Sequence, residues 1–195
     1  ADWTIVREPN ATEFTGYART EDDVLILKYR KIKLKGKESL QIILNKTPFY
    51  AESGGQVGDT GLLISGNEKI TIIDTIKENN AVIHVSQGKL TDPLAQFHAV
   101  VDAAKRQMTA NNHTATHLLH FALRSVLGKH VEQKGSLVTP DRLRFDFSHF
   151  TKITKEELKK VEEIANIMVR QSSNIKVIEG ISMNEAIDMG AMALF

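Results

Sequence analysis

Cysteine is absent from all 195 residues. That excludes a disulfide scaffold, a zinc ribbon and a cysteine nucleophile, and it is compatible with a reducing, cytoplasmic setting. A strong charge of one sign is absent too. The 25 Lys and Arg residues stand against 24 Asp and Glu, leaving a net charge of +1. This argues against binding nucleic acid through bulk charge but leaves room for a local basic strip. No apolar run approaches the roughly 18 residues that a membrane span needs. The start, Ala1-Asp2-Trp3, has no Met and leads into no basic-then-apolar stretch, so a signal peptide is not expected. What is present is ordinary globular material, 42% hydrophobic and 25% charged, in a chain long enough to bury a core without staples.

The first half reads as strands. Phe14 to Thr20, Val24 to Leu34, Leu40 to Leu44, Gly61 to Ile64, Ile70 to Ile76, Ala81 to Val85 and Phe97 to Val101 are β-rich. Turn sequences such as Lys35-Gly36-Lys37, Ser65-Gly66-Asn67 and Glu78-Asn79-Asn80 separate them. Short strands at this spacing predict a small antiparallel barrel or sandwich. From Asp102, a plausible N-cap, to Leu127 the period changes to that of a helix, with Gly128 as its C-cap. Arg142 to Phe147 alternates as a half-exposed strand. Thr154 with Glu157 forms a capping box ahead of a second helix. Ile175 to Ile178 reads as a short strand, and Ser182 with Glu185 opens a last helix that closes at Gly190. The fold class is therefore α+β, with a β module at 1–100 and an α+β module at 101–195. The apolar ending Gly190-Ala191-Met192-Ala193-Leu194-Phe195 is expected of a piece excised from a longer protein.

Three stretches carry polar groups in patterns that chemistry uses. His113-Thr114-Ala115-Thr116-His117 lies within the long helix, where residues four apart share a face and two imidazoles can chelate one ion. Seven histidines make one such pair easy to find by chance, so the spacing alone is weak. His120, one turn on, reads either as a third ligand or as a half-buried polar residue. A zinc-protease mechanism is excluded, because Thr114 stands where those enzymes carry the glutamate base. The second stretch, Thr47-Pro48-Phe49-Tyr50-Ala51-Glu52-Ser53-Gly54-Gly55-Gln56-Val57-Gly58-Asp59-Thr60-Gly61, has four glycines between 54 and 61, implying positive φ or a close approach by another group. It lacks the ending of a P-loop and reads, on its own, as a tight connector between strands. The third, Gly128 to Phe147, offers Gln133 and Ser136 together with the cationic Lys129, Lys134, Arg142, Arg144 and His130. It reads as a solvated strand face or as a local strip for phosphate contacts.

Taken together and in this order, these motifs resemble the editing domain of alanyl-tRNA synthetase. The resemblance is carried by Phe14-Thr15-Gly16-Tyr17, the Thr47 to Gly61 stretch, His113 to His120, His130-Val131-Glu132-Gln133-Lys134-Gly135-Ser136-Leu137-Val138, Leu143-Arg144-Phe145-Asp146-Phe147-Ser148-His149 and Gly190 to Phe195. It covers nearly the whole chain. The fold it implies is a small antiparallel β-barrel module followed by a two-layer editing core whose long helix carries the two histidines.

The activity it implies is zinc-dependent hydrolysis of Ser-tRNA(Ala) and Gly-tRNA(Ala), in a cytoplasmic ligase that attaches alanine to tRNA(Ala) using ATP. A synthetic pocket sized for alanine cannot strongly reject glycine or serine, so a second, hydrolytic site must supply the discrimination. By position in the matched motifs, His113 and His117 are implied zinc ligands. Thr116 is an implied reader of the substrate side chain, and Gln133 and Ser136 are implied to position the aminoacyl group. Gly54, Gly55 and Gln56 are implied to form a loop that closes over the site. The remaining zinc ligands of the family come from a Cys-and-His motif expected beyond Phe195. The implied partners are the aminoacylated 3′ end of tRNA(Ala) and the other domains of the parent synthetase, with no DNA and no membrane. A free-standing trans-editing protein of the AlaX type is a close rival, and the editing module of threonyl-tRNA synthetase is also related. A non-catalytic tRNA-binding module and a generic metallohydrolase are readings of a different class.

Overall fold

A computed structural model of the chain describes residues 2–8, 10–178 and 180–191. The strands are β1 (Thr4–Ile5), β2 (Glu13–Phe14), β3 (Glu21–Leu34), β4 (Lys37–Leu44), β5 (Lys46–Thr47), β6 (Gly61–Ser65), β7 (Glu68–Glu78), β8 (Ala81–Gln87), β9 (Gln96–Val101), β10 (Gln133–Val138) and β11 (Leu143–Phe147). The helices are α1 (Ala103–Leu127), α2 (Lys155–Gln171) and α3 (Met183–Asp188). The chain divides into two compact units. The first comprises 1–112 with 137–142, and the second 113–136 with 143–195. The change of period near residue 100 marks the entry to α1, whereas the compact units part inside that helix.

The first unit is built on a seven-stranded antiparallel sheet in the order β1-β3-β4-β8-β7-β6-β9. β9 pairs with β6 on one side and with Glu21–Leu25 of β3 on the other, so six strands complete a circuit of pairings. Its turns are the ones the sequence announces. Lys35 and Gly36 at β3–β4, and Asn79 and Asn80 at β7–β8, all take positive φ, as two-residue hairpin turns of the primed type require. Alternation buries one face of β9 and of the start of β3, whereas β4 is buried continuously from Ser39 to Leu44. Val24, Ile26, Ile42, Leu44, Phe49, Ile72 and Phe97 share one cluster, and Leu27, Ile43 and Ile83 share another with Trp3 packed on it.

Within this unit lies a buried polar chain. His84 Nδ1 donates to the Ile42 carbonyl at 3.1 Å, which leaves Nε2 to accept from Thr47 Oγ1 at 2.7 Å. The Thr47 hydroxyl in turn accepts from the Phe49 N–H at 3.1 Å. Every polar group is satisfied, so the imidazole is tolerated at 0% exposure in its neutral form. Burial pushes its pKa from 6.5 down to about 4.

The second unit has its own core. Ala122 and Leu123 of α1, Val131 from the segment between α1 and β10, and Val161 of α2 are buried together, with Phe145 and Phe147 of β11 against them. The Thr154–Glu157 capping box forms in full, and Ser182 with Glu185 repeats it ahead of α3. Two expected strands differ. Of Phe14 to Thr20 only Phe14 is in a strand, because Ala18 and Arg19 N–H bond back to the Thr15 carbonyl in a turn. Ile175 to Ile178 forms no strand, since no described segment pairs with it there. The Met192 to Phe195 part of the terminal motif lies outside the described residues. Among the described residues no helix is long and apolar enough to cross a membrane.

Candidate functional site

α1 starts at Asp102, whose Oδ1 accepts from the Lys105 N–H at 3.1 Å and so caps the first turn. It ends at Gly128, which takes φ 115° and returns its N–H to the Arg124 carbonyl. The 25 residues between hold seven turns without a break, which sets His113 and His117 one turn apart. Their ring centroids are 5.2 Å apart with planes 13° from parallel. His117 is exposed and His113 half-buried. Burial, with a smaller push from the His117 imidazole, lowers the pKa of His113 and favours the neutral form that a zinc ligand needs.

Thr116 is buried at 5% exposure, on the helix face that also buries His120. His120 lies with the core of the second unit. Its ring sits 5.0 Å from Phe145, and Nε2 points at the Val131 carbonyl at 3.4 Å, which also accepts from Arg124 at 2.9 Å. Of the two readings open to His120, the buried polar one describes its surroundings. Gln133 and Ser136, on β10, meet directly: Gln133 Nε2 donates to Ser136 Oγ at 3.2 Å. Gln133 is exposed and Ser136 half-buried. The structure thus brings the sequence-derived residues together as two pairs, one on α1 and one on β10. Among the described residues no group of three or more His, Cys, Asp or Glu side chains is placed to hold a metal. His113 and His117 can supply at most two of the four ligands of a tetrahedral zinc site.

The glycine-rich stretch belongs to the first unit. Ser53 and Gln56 bridge a tight reversal in which Gly54 and Gly55 take φ of 58° and 81°, and Gln56 pairs in parallel with Val138. A Cβ at Gly58 would run into the Thr75 backbone, so the stretch combines positive φ with close approach. It is anchored by a pair that sequence reasoning did not single out. Arg106, in the first turns of α1, makes a forked ion pair with Asp59, with Nε at 2.7 Å from Oδ2, and donates to the carbonyls of Gly16 at 3.0 Å and Pro48 at 2.7 Å. Asp59 also accepts the Tyr50 N–H at 2.8 Å. Five donors in a fixed fork suit Arg to this task. The signal available was the recurrence of Gly16, Pro48 and Asp59 in the motifs, but nothing in the sequence names their common partner.

A family model described as class II (A) tRNA synthetases matches residues 2–105, more than half of the chain, and the chain belongs to that family. Its similarity extends over the whole length to alanine–tRNA ligases. That of Cytophaga hutchinsonii is 51% identical over 195 residues, that of Bacteroides thetaiotaomicron 55% over 194, and that of Christiangramia forsetii 51% over 196. Each match covers 100% of this chain and 22% of the relative, so the chain spans under a quarter of the length of the curated relatives it matches.

Proposed function

We propose that this chain is the editing module of a cytoplasmic alanine–tRNA ligase, and that it hydrolyses the ester of Ser-tRNA(Ala) and Gly-tRNA(Ala). The observation that carries the reading is the His113–His117 pair, held parallel on a long helix of a chain whose whole length matches 22% of an alanine–tRNA ligase. His113 and His117 would hold Zn²⁺, with further ligands supplied from beyond Phe195. The metal would supply a Lewis acid and a template for the aminoacyl ester. Thr116, Gln133 and Ser136 offer the hydroxyl and amide groups that orient an aminoacyl group by hydrogen bonds. A bond to the serine hydroxyl favours the seryl over the alanyl ester, because the alanyl ester leaves that buried polar group unpaired; removal of glycine, which has no hydroxyl, does not use that bond. The parent enzyme would charge tRNA(Ala) with alanine using ATP, and its tRNA would be this module's partner, with no role for DNA or membrane.

The test is release of serine from Ser-tRNA(Ala) with Ala-tRNA(Ala) as control, in added zinc, for this chain and for one extended beyond Phe195. Selective loss of serine from either supports the reading. Equal rates on both esters overturn it in favour of a generic hydrolase, and silence of the extended chain overturns it in favour of a binding module.

A further inference from the structure

The second unit carries a ring assembly that the proposed hydrolysis does not use. Phe150, between β11 and α2, is 85% exposed. A phenyl ring this open gains nothing from burial where it stands, yet its inner face is fixed. It stacks on His130, with centroids 4.6 Å apart and planes 26° from parallel. His130 is fixed in turn: its Nε2 lies 2.9 Å from His149 Nδ1. The two imidazole centroids are 5.1 Å apart and the planes 17° from parallel, so the rings meet edge to edge, nitrogen facing nitrogen. One imidazole donates and the other accepts. If His149 Nε2–H points to Thr151 Oγ1 at 3.4 Å, its Nδ1 accepts from His130 Nε2–H and both contacts are satisfied. His130 follows the Gly128 turn, where a Cβ would come within 3.0 Å of its Nδ1. The nitrogens face each other in line rather than converging on a third point, which is the geometry of a hydrogen bond and not of a metal chelate.

We propose that the open face of Phe150 is a stacking platform for an unpaired nucleobase of RNA. A single flat ring with polar imidazoles behind it matches a planar π partner, whereas a protein interface needs a contiguous apolar patch of several hundred Å². The charges beside it are complementary to a phosphate backbone. Lys129, Lys152 and Lys155 are exposed in the flanking segments. Of the acids of this region, Glu157 is committed to the Thr154 N–H at 2.8 Å, which lowers its pKa, Glu132 is paired with Lys134 at 3.1 Å, and Glu156 is exposed in the first turn of α2. Stacking is indifferent to base identity, so the platform would hold a single strand while another site reads it. This inference rests on the RNA partner of the preceding proposal and not on hydrolysis.

The test is fluorescence anisotropy with a labelled single-stranded oligoadenylate and with uncharged tRNA(Ala). Phe150→Ala and Phe150→Leu are expected to weaken binding of both probes roughly tenfold, the order of one lost base stack, while Phe150→Trp retains it. The Trp variant also reports directly, since stacking of adenine quenches its emission. Leucine keeps apolar surface but loses the π face, so binding restored by Leu overturns stacking. Binding unchanged in Phe150→Ala, or a change of self-association in its place, overturns the platform. Because the readout is binding, failure of serine release leaves this result standing, and the converse also holds.

Discussion

His84 should make the stability of the chain depend on pH in a window no carboxylate covers in the same way. Its imidazole is fully buried, and its pKa falls from 6.5 to about 4. Above pH 6.5 it is neutral in both native and unfolded states and adds no slope. As the pH falls below 6.5, the unfolded chain binds a proton that the native state refuses until about pH 4. Stability is therefore complete above the unfolded value and is lost as pH falls towards the native one. The slope attributable to this residue approaches 1.4 kcal/mol per pH unit, and the total loss is about 3 kcal/mol. Against a domain stability of roughly 5–15 kcal/mol, that is a large share. The measurement is urea unfolding of the wild type and His84→Gln at half-unit steps from pH 4 to 8, each referenced to its own value at pH 8. Carboxylate contributions are common to both and cancel in the difference. The wild-type curve should steepen below pH 6.5 relative to the variant. Parallel curves, or an imidazole that titrates near 6.5 by NMR in the folded state, would refute the assignment of a neutral, desolvated ring.

Four further variants have expected outcomes. Arg106→Ala leaves the Asp59 carboxylate buried without its cation and should cost about 3–5 kcal/mol, read as a shift of the urea midpoint. Arg106→Lys should not restore it, since an ammonium cannot span Asp59 and both carbonyls. Val161→Ala removes two methyls from the core of the second unit and should cost about 2 kcal/mol, with no change in RNA binding. His117→Ala, at an exposed position, should leave the fold intact by circular dichroism and abolish zinc binding and serine release in the extended chain; retained release would remove the metal from the proposal.

Much of the β architecture is legible in the sequence, because alternation and turn chemistry act locally. Asn79-Asn80 and Lys35-Gly36 each fix a hairpin by their own φ preference, and the runs around them need no distant information. The same locality explains the capping boxes at Thr154 and Ser182. What is not legible depends on partners far along the chain. Strand pairing at Ile175–Ile178 needs a neighbour that β-propensity cannot supply. The two-residue strands β2 and β5, paired in parallel, are too short to leave a periodic trace. Arg106 reaches Asp59 across 47 positions and Gly16 across 90, and its own surroundings read as an ordinary helix start.

The seven histidines show why residue type alone could not locate the site. His84 spends both nitrogens inside the sheet, on Ile42 and Thr47. His98 lies between Asp23 at 2.8 Å and Glu21 at 3.2 Å, which raise its pKa, so whatever stability it lends is present at low pH and fades as pH rises through that value. His120 serves the core through the Val131 carbonyl. His130 and His149 bond to each other. His113 and His117 are the pair that a helix sets one turn apart with parallel rings, and for them burial lowers the proton affinity of His113, the shift opposite to that of His98. A shared residue type thus divides by surroundings into a core imidazole held neutral, a second core imidazole beside Phe145, a surface imidazole between two acids, a hydrogen-bonded dyad and the pair proposed to hold zinc. Spacing in sequence marks only the last of these, because the α-helix alone converts a fixed interval of four into a fixed distance in space.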